Sequence, residues 1–269
     1  MDGSINTCGV CKGRLEFFSS GDILEYTAEY WQCSSCSSVQ VLEPFWAEEA
    51  HSRAISILDT GLVSRSIVAS RFVGVLIFLE KKLDSKVLDW GGGVGLLARL
   101  LRDQGIDTYS YDKYAEGFLV EGFTIPEKNV SEEFEFLLSV ECFEHLISPV
   151  KTFEKITSDK NYFVFTTELI STPPPDPREK SWWYYMPESG QHITFASARG
   201  IRSFAIKLGF DYYIQVGNLH ILSKRRLRSI TRVILKNRIF RKIAMVVVPE
   251  ILFRRSSLIW NDSLKLQGK

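Results

Sequence analysis

At 269 residues the chain exceeds one small domain and falls short of two full-sized ones, at about 150 residues per domain. A hydrophobic content of 45%, an aromatic content of 13% and a mean hydropathy of −0.02 supply ample core material and exclude intrinsic disorder, collagen and coiled coil. Of 33 bases and 32 acids, eleven bases and one acid (Glu250) fall between Lys224 and Arg255, a net of +10, leaving 22 bases and 31 acids, or −9, on a body that repels nucleic acid.

The amino-terminal run Met1–Gly13 has no basic start and no apolar stretch, so nothing in it suggests secretion, and a cytoplasmic protein is expected. Four of the five cysteines form two C-x-x-C pairs, Cys8/Cys11 and Cys33/Cys36, with 21 residues between them. In a cytosolic chain this spacing reads as a tetrahedral structural zinc site, in preference to redox chemistry or a metal-free pair. Four thiolates leave no open position for catalysis. The intervening Leu15–Phe18, Tyr26 and Tyr30-Trp31 are strand-like around Ser19-Ser20-Gly21-Asp22, which predicts a zinc ribbon over 1–42 with its turn in that polar stretch. A module of this size holds little core, and zinc binding on the order of 10 kcal/mol would fold it.

Residues 43–84 read as a helical linker or cap. Its Arg65 and Arg71 either reach an incoming carboxylate or, the blander alternative, form surface salt bridges. The longest apolar stretches, around Phe72–Leu79 and Ile243–Val248, are core-sized, so no spanning helix is expected.

A short apolar strand over Lys86–Asp89 ends in an acid. A glycine-rich turn follows, with Gly91, Gly93 and Gly95, and then a helix carrying Leu96, Leu97, Leu100 and Leu101 at helical spacing. Such glycines let the backbone approach a ligand, and a helix N-terminus offers free N–H groups. A second strand, Thr108–Tyr111, ends in Asp112, 17 residues after Gly95, where a carboxylate would meet a ribose diol. A nicotinamide cofactor is the first alternative, but the dinucleotide spacing would require a glycine at Leu96. The acid before the glycines, D-x-G-x-G-x-G, resembles motif I of class I S-adenosylmethionine-dependent methyltransferases. The rest follows in order: Phe134–Val140 as the fourth strand, Glu141-Cys142-Phe143-Glu144-His145-Leu146 as E-x-x-E-H-L, Asn161–Glu168 as the fifth, and a hairpin of Tyr212–Val216 and Leu219–Leu222. The resemblance covers residues 85–223 and implies a Rossmann-like α/β fold, a mostly parallel sheet with an antiparallel last strand. Within it, Trp182–Phe195 is similar to the W-x-Y-x-P-E-x-G-Q-H-x-x-F stretch of bacterial methyltransferases associated with surface-polysaccharide and sugar biosynthesis. A cysteine-rich module ahead of such a core also resembles the sugar C-methyltransferases, which carry a further C-terminal domain.

By position, Asp89, Gly91, Gly93, Gly95, Asp112 and Glu141 are expected to hold S-adenosylmethionine. The residues after the fourth strand lie near the methyl group, since ligands sit at the carboxyl ends of parallel strands. His192 and His145 are the candidate general bases, with Glu144 beside them and His192 favoured for a hydroxyl acceptor. Cys142 reads as a small packing residue. A sharper alternative gives Glu141, Glu144, His145 and His192 a divalent cation, as in the plant small-RNA 2′-O-methyltransferases. Trp182, Trp183, Tyr184 and Tyr185, within a lid over Pro173–Phe195, are either a sugar-stacking platform or core.

The tail, 224–269, places Leu227, Ile230, Ile234, Phe240 and Ile243 among bases. It reads as a surface for an anionic membrane through 224–255, as a diphosphate or RNA contact, or as a helix packed on the acidic body. The chain as a whole reads as a methyltransferase acting on a hydroxyl of a sugar, sugar nucleotide or glycan. The rivals are an RNA methyltransferase, against which the acidic body argues, and a non-catalytic binding module, against which the intact loop argues.

Overall fold

The computed structural model describes residues 6–50, 59–130 and 134–268. Residues 1–5 of the expected ribbon and 51–58 of the expected helical cap lie outside the described residues. The chain forms two compact units, one of 1–58, 141–158 and 165–222, the other of 59–140, 159–164 and 223–269. Neither unit matches a continuous segment of the sequence.

The first unit holds a four-stranded sheet in the order β1 (Leu15–Ile23), β2 (Tyr26–Cys33), β3 (Val39–Val41) and β8 (Thr194–Phe195), antiparallel throughout. The hairpin turn differs from expectation. Ser20, Gly21 and Asp22 are strand residues opposite Glu29, Ala28 and Thr27, and the chain reverses at Leu24-Glu25, with Leu24 at φ 54°. Gly21 serves close approach: a Cβ there would stand 3.2 Å from the Pro177 side chain and 3.3 Å from the Tyr30 ring. Residues 173–195, expected as a lid, are hydrogen-bonded to the elements of this sheet. Asp176 accepts from Ser19 Oγ at 2.9 Å, Trp46 Nε1 donates to the Gly190 carbonyl at 3.0 Å, and Leu24 N to that of Pro187 at 2.9 Å. Tyr30, Val39, Trp46, Tyr184, Tyr185, Ile193 and Phe195 form the core over this sheet.

In the second unit, β4 (Val87–Trp90) lies between β5 (Thr108–Tyr111) and β6 (Phe136–Ser139), parallel to both. Its four residues are apolar except for Asp89, as a strand covered on both faces requires. The hydrogen-bonded order of the six-stranded sheet is β5-β4-β6-β7-β10-β9, with β7 at Tyr162–Thr166, β9 at Tyr212–Val216 and β10 at Leu219–Ser223; residues 165–222 of these strands are grouped with the first unit. β9 and β10 are joined by Gly217-Asn218, and a two-residue connection makes them antiparallel. This is a Rossmann-like α/β fold with a mixed sheet.

Helix α2 (Leu62–Glu80) extends well beyond the apolar run around Phe72–Leu79. Among the described residues it alone is long and apolar enough to cross a membrane, with a mean hydropathy of 1.8 over 18 residues, because Arg65, Arg71 and Glu80 interrupt it so sparsely. Half of it is buried, and it packs on α3 (Leu96–Asp103), α6 (Ser229–Lys236) and α7 (Arg238–Ser256), so a core helix accounts for its composition. Arg65 pairs with Asp59, the surface salt bridge foreseen for it.

The tail is helical, broken at Asn237, whose Oδ1 caps α7 by accepting from Ile239 N and Phe240 N at 3.0 Å each. It meets the rest of its unit through apolar packing of Val248 and Leu252 on Val75, more than through its charges. The exception is α8 (Ile259–Leu266). Its buried Asp262 takes a two-point bond from Arg102 at 2.7 and 2.6 Å, and the guanidinium lies 3.6 Å over the Phe123 ring. Desolvation is offset here by paired geometry, and removing either partner would strand the other charge.

Candidate functional site

The glycine loop belongs to the second unit. Gly91, Gly93 and Gly95 have φ of 75°, 56° and 83°, left-handed values that favour glycine, and Gly95 caps α3. A Cβ on Gly93 would meet nothing within 4 Å, so this side of the loop is open to a ligand. Gly92, which the spacing pattern does not single out, is equally constrained: a Cβ there would lie 2.3 Å from Ser110 Oγ and 2.7 Å from Asp89 Oδ2.

Asp89 is 1% exposed, and its Oδ2 has no hydrogen-bond partner. Burial first, and then the Asp112 carboxylate, push it up to about 7. A buried carboxylate with one oxygen unpaired, at an open glycine turn, suits a cationic ligand. Asp112 accepts from Gly93 N through Oδ2 at 2.9 Å, and from Tyr114 N and Ala115 N through Oδ1 at 2.7 and 2.9 Å. It therefore pins the loop; Oδ1 already accepts two hydrogen bonds, and Oδ2 keeps one lone pair for a ribose hydroxyl. These residues fit S-adenosylmethionine, whose sulfonium and ribose need an acid and an acceptor.

A second constellation lies in the first unit, where β6 gives way to a turn over Phe143–His145. Glu141 opens it at φ 57°, strained for a side-chain-bearing residue, and is held by Thr166: Glu141 N donates to Thr166 Oγ1 at 2.7 Å, which donates to Glu141 Oε1 at 2.8 Å. Ligand atoms of Glu144, His145 and His192 lie within 4.8 Å of one another, with Glu144 fully buried. His192 Nδ1 donates to the Tyr184 carbonyl at 2.7 Å, so Nδ1 carries a proton and, in the neutral ring, Nε2 is the acceptor nitrogen. The backbone is clamped from two sides. Ile193 N donates to the Glu144 carbonyl at 2.9 Å, Thr194 Oγ1 to that of Leu146 at 2.6 Å, and Gln40 Nε2 to that of Ile147 at 3.0 Å. Glu141 is absent from the group of converging donors, which reduces the four-ligand cation expectation to three candidates. Gln40 and Thr166 were not foreseen, because nothing in their sequence context distinguishes a clamp from an ordinary strand residue.

The aromatic run divides. Tyr184 and Tyr185 are core, whereas Trp183 is 68% exposed. With Trp182, Tyr185, Tyr30, Asp22 and Arg178 it lines a cleft of about 540 Å³ in the first unit.

The four cysteines are buried and unbridged. Cys8 and Cys36 sulfurs stand 3.9 Å apart and those of Cys11 and Cys33 3.4 Å. A tetrahedron of Zn–S bonds of about 2.3 Å has edges of about 3.8 Å, so the donor set is compatible with zinc. Hydrogen bonds with Cys11 and Cys36 push the Cys8 thiol up, and those from Cys11 and Cys8 hold Cys36 down.

Sheet order and the glycine loop together define a Rossmann-like methyltransferase. A model of the methyltransferase-domain family matches residues 68–215, more than half of the chain, and the chain belongs to that family. The protein is an S-adenosylmethionine-dependent methyltransferase. Among solved structures its fold is similar to that of a methyltransferase from Thermotoga maritima described as a possible histamine N-methyltransferase (14% identity, 66% of this chain and 100% of that one, TM-score 0.47). It is also similar to magnesium protoporphyrin IX methyltransferase from Synechocystis with bound S-adenosylhomocysteine (16% identity, 62% and 86%, TM-score 0.43). A third likeness is an O-methyltransferase family 2 protein from Planctomyces limnophilus in complex with apigenin (16% identity, 68% and 64%, TM-score 0.46). No curated protein matches.

Proposed function

We propose that this methyltransferase acts on a hydroxyl of a sugar, sugar nucleotide or glycan intermediate, with His192 as general base. The observation that carries the reading is the tautomer of His192, whose Nδ1 is committed to the Tyr184 carbonyl, beside the buried Glu144 and His145. S-adenosylmethionine supplies the methyl group as an electrophilic carbon on its sulfonium. His192 Nε2 accepts the acceptor's hydroxyl proton as the O–C bond forms and the C–S bond breaks toward sulfur, and Glu144 favours the imidazolium that results. Asp89, Gly91, Gly93, Gly95, Asp112 and Glu141 bind the donor in this reading. Cys8, Cys11, Cys33 and Cys36 hold a structural zinc in a ribbon spanning 1–42.

The cleft beside Trp183, whose lining includes neither His145 nor His192, has the character of a sugar subsite. An exposed indole stacks on the apolar face of a pyranose, Asp22 offers an acceptor to its hydroxyls, and about 540 Å³ suits a ligand of a few sugar units. The test is transfer of a labelled methyl from S-adenosylmethionine to a panel of nucleotide sugars, oligosaccharides and RNA, with the product atom mapped by mass spectrometry. Label on a sugar oxygen is expected; label on RNA, or on carbon of a sugar, would overturn the assignment.

Asp89 gives the donor reading a pH signature. Its carboxyl titrates near 7 in the fold. The protonated acid favours the folded state, so this contribution to stability is full below the ordinary carboxylate range and is lost as pH rises through about 7. The cationic donor prefers the ionised form. Its affinity is therefore expected to rise about tenfold from pH 6 to 7.5, and Asp89→Asn to bind more weakly with a flat profile. Calorimetry across that range checks both.

A further inference from the structure

Helix α7 has two apolar faces. One packs on α2 through Val248 and Leu252, with Ala244 and Met245 beside them. At 100° per residue the opposite face carries Ile239, Ile243, Val246 and Phe253, and these point outward, with exposures of 68%, 56%, 65% and 48%. An exposed apolar face on a helix that already buries its other side marks an interaction surface. Here one side is enclosed by its own unit and the other is open. Val247 and Phe240 extend the open face, and Trp260, on α8, is 71% exposed.

The charges around this face are basic apart from Glu250, which by helical position lies on the face itself. Lys224 to Arg255 contributes eleven bases, and its single acid, Glu250, is neutralised by Arg254 at 2.7 Å on the same helix. The acid that would oppose a polyanion is thus already paired. Apolar residues projecting from a basic surface match the two layers of an anionic bilayer, in which phosphate headgroups overlie acyl chains. A nucleic acid would use the bases and leave the isoleucines and phenylalanines in water. A second copy of this chain would bring +10 against +10.

We propose that α7, with the bases of 224–255, is a docking surface for an anionic lipid membrane. The chain lies on the bilayer rather than crossing it. Ile239, Ile243, Val246 and Phe253 enter the headgroup–acyl boundary and the flanking Lys and Arg engage lipid phosphates. This surface is independent of the acceptor assigned above, and its test does not require turnover.

The test is flotation of the full chain with vesicles of phosphatidylcholine alone or with 30% phosphatidylglycerol. Binding is expected to the anionic vesicles, reduced severalfold between 0.1 and 0.5 M salt, and weak to the neutral ones. Ile243→Glu with Val246→Glu is expected to lower partitioning at least tenfold while leaving thermal stability and S-adenosylmethionine binding unchanged, since both side chains face outward. Failure to float with anionic vesicles overturns the proposal. So does a concentration-dependent dimer in sedimentation equilibrium that the double variant abolishes, because the face would then be covered by a second copy. Binding that vanishes at 0.5 M salt and is unaffected by the double variant also overturns it, leaving a purely electrostatic contact.

Discussion

His192→Asn is expected to lower kcat by about 10²- to 10⁴-fold, the range for losing a general base, with donor affinity unchanged. Asparagine is the informative replacement because its side-chain amide can donate to the Tyr184 carbonyl as His192 Nδ1 does at 2.7 Å, keeping the backbone of 184–195 in place. What it removes is the second ring nitrogen. Single-turnover transfer of a labelled methyl reads the chemical step directly. A rise in acceptor KM at constant kcat would instead make His192 a binding group. The same cluster of Glu144, His145 and His192 has donor atoms close enough for a divalent cation, and this reading has a separate signature. A cation site would give the wild type a rate that added manganese or magnesium raises and that His192→Asn no longer lets it raise. A base gives a rate indifferent to either ion.

The sequence made the chemistry-bearing residues of both units legible for a physical reason. Glycines at left-handed φ, an acid ending a buried strand and thiols in C-x-x-C pairs are each forced by local geometry, so their spacing survives in the chain. What could not be read were constraints set at a distance. Ser19-Ser20-Gly21-Asp22 has turn composition, yet it lies in β1, because Gly21 answers to Pro177 and Tyr30 rather than to the hairpin. Gly92 is fixed by Ser110 and Asp89, outside the alternating pattern that marks its neighbours. Helix α2 escaped the search for long apolar runs because Arg65 and Arg71 divide it, although as a helix it remains apolar on average. Nor does a pattern of bases and isoleucines reveal which face of α7 is covered. That depended on Val248 and Leu252 finding α2.

Removing the zinc proposed for the four cysteines is expected to have the largest effect on the first unit. Strand β2 ends at Cys33, pairs with β3 through Trp31↔Gln40, and β3 pairs with β8 through Gln40↔Thr194. From β8 and its neighbours run the bonds that hold the Glu144–Leu146 backbone. The cysteine quartet is thus joined to the catalytic candidates by a continuous ladder within one unit. Zinc in such sites contributes on the order of 10 kcal/mol, comparable to the entire stability of an ordinary domain. Cys33→Ser, or chelation at neutral pH, should therefore release one zinc per chain, expose four reactive thiols in the chelated wild type, and abolish methyl transfer. Asp89, the glycine loop and Asp112 lie in the other unit, stabilised by their own parallel strands and the Arg102–Asp262 pair. S-adenosylmethionine binding should accordingly weaken with the loss of Glu141 yet survive on Asp89, the glycine loop and Asp112, so that calorimetry retains a donor signal while transfer is lost. Wild-type protein that carries no zinc by elemental analysis, yet transfers methyl with four free thiols, would show that packing alone holds the hairpin.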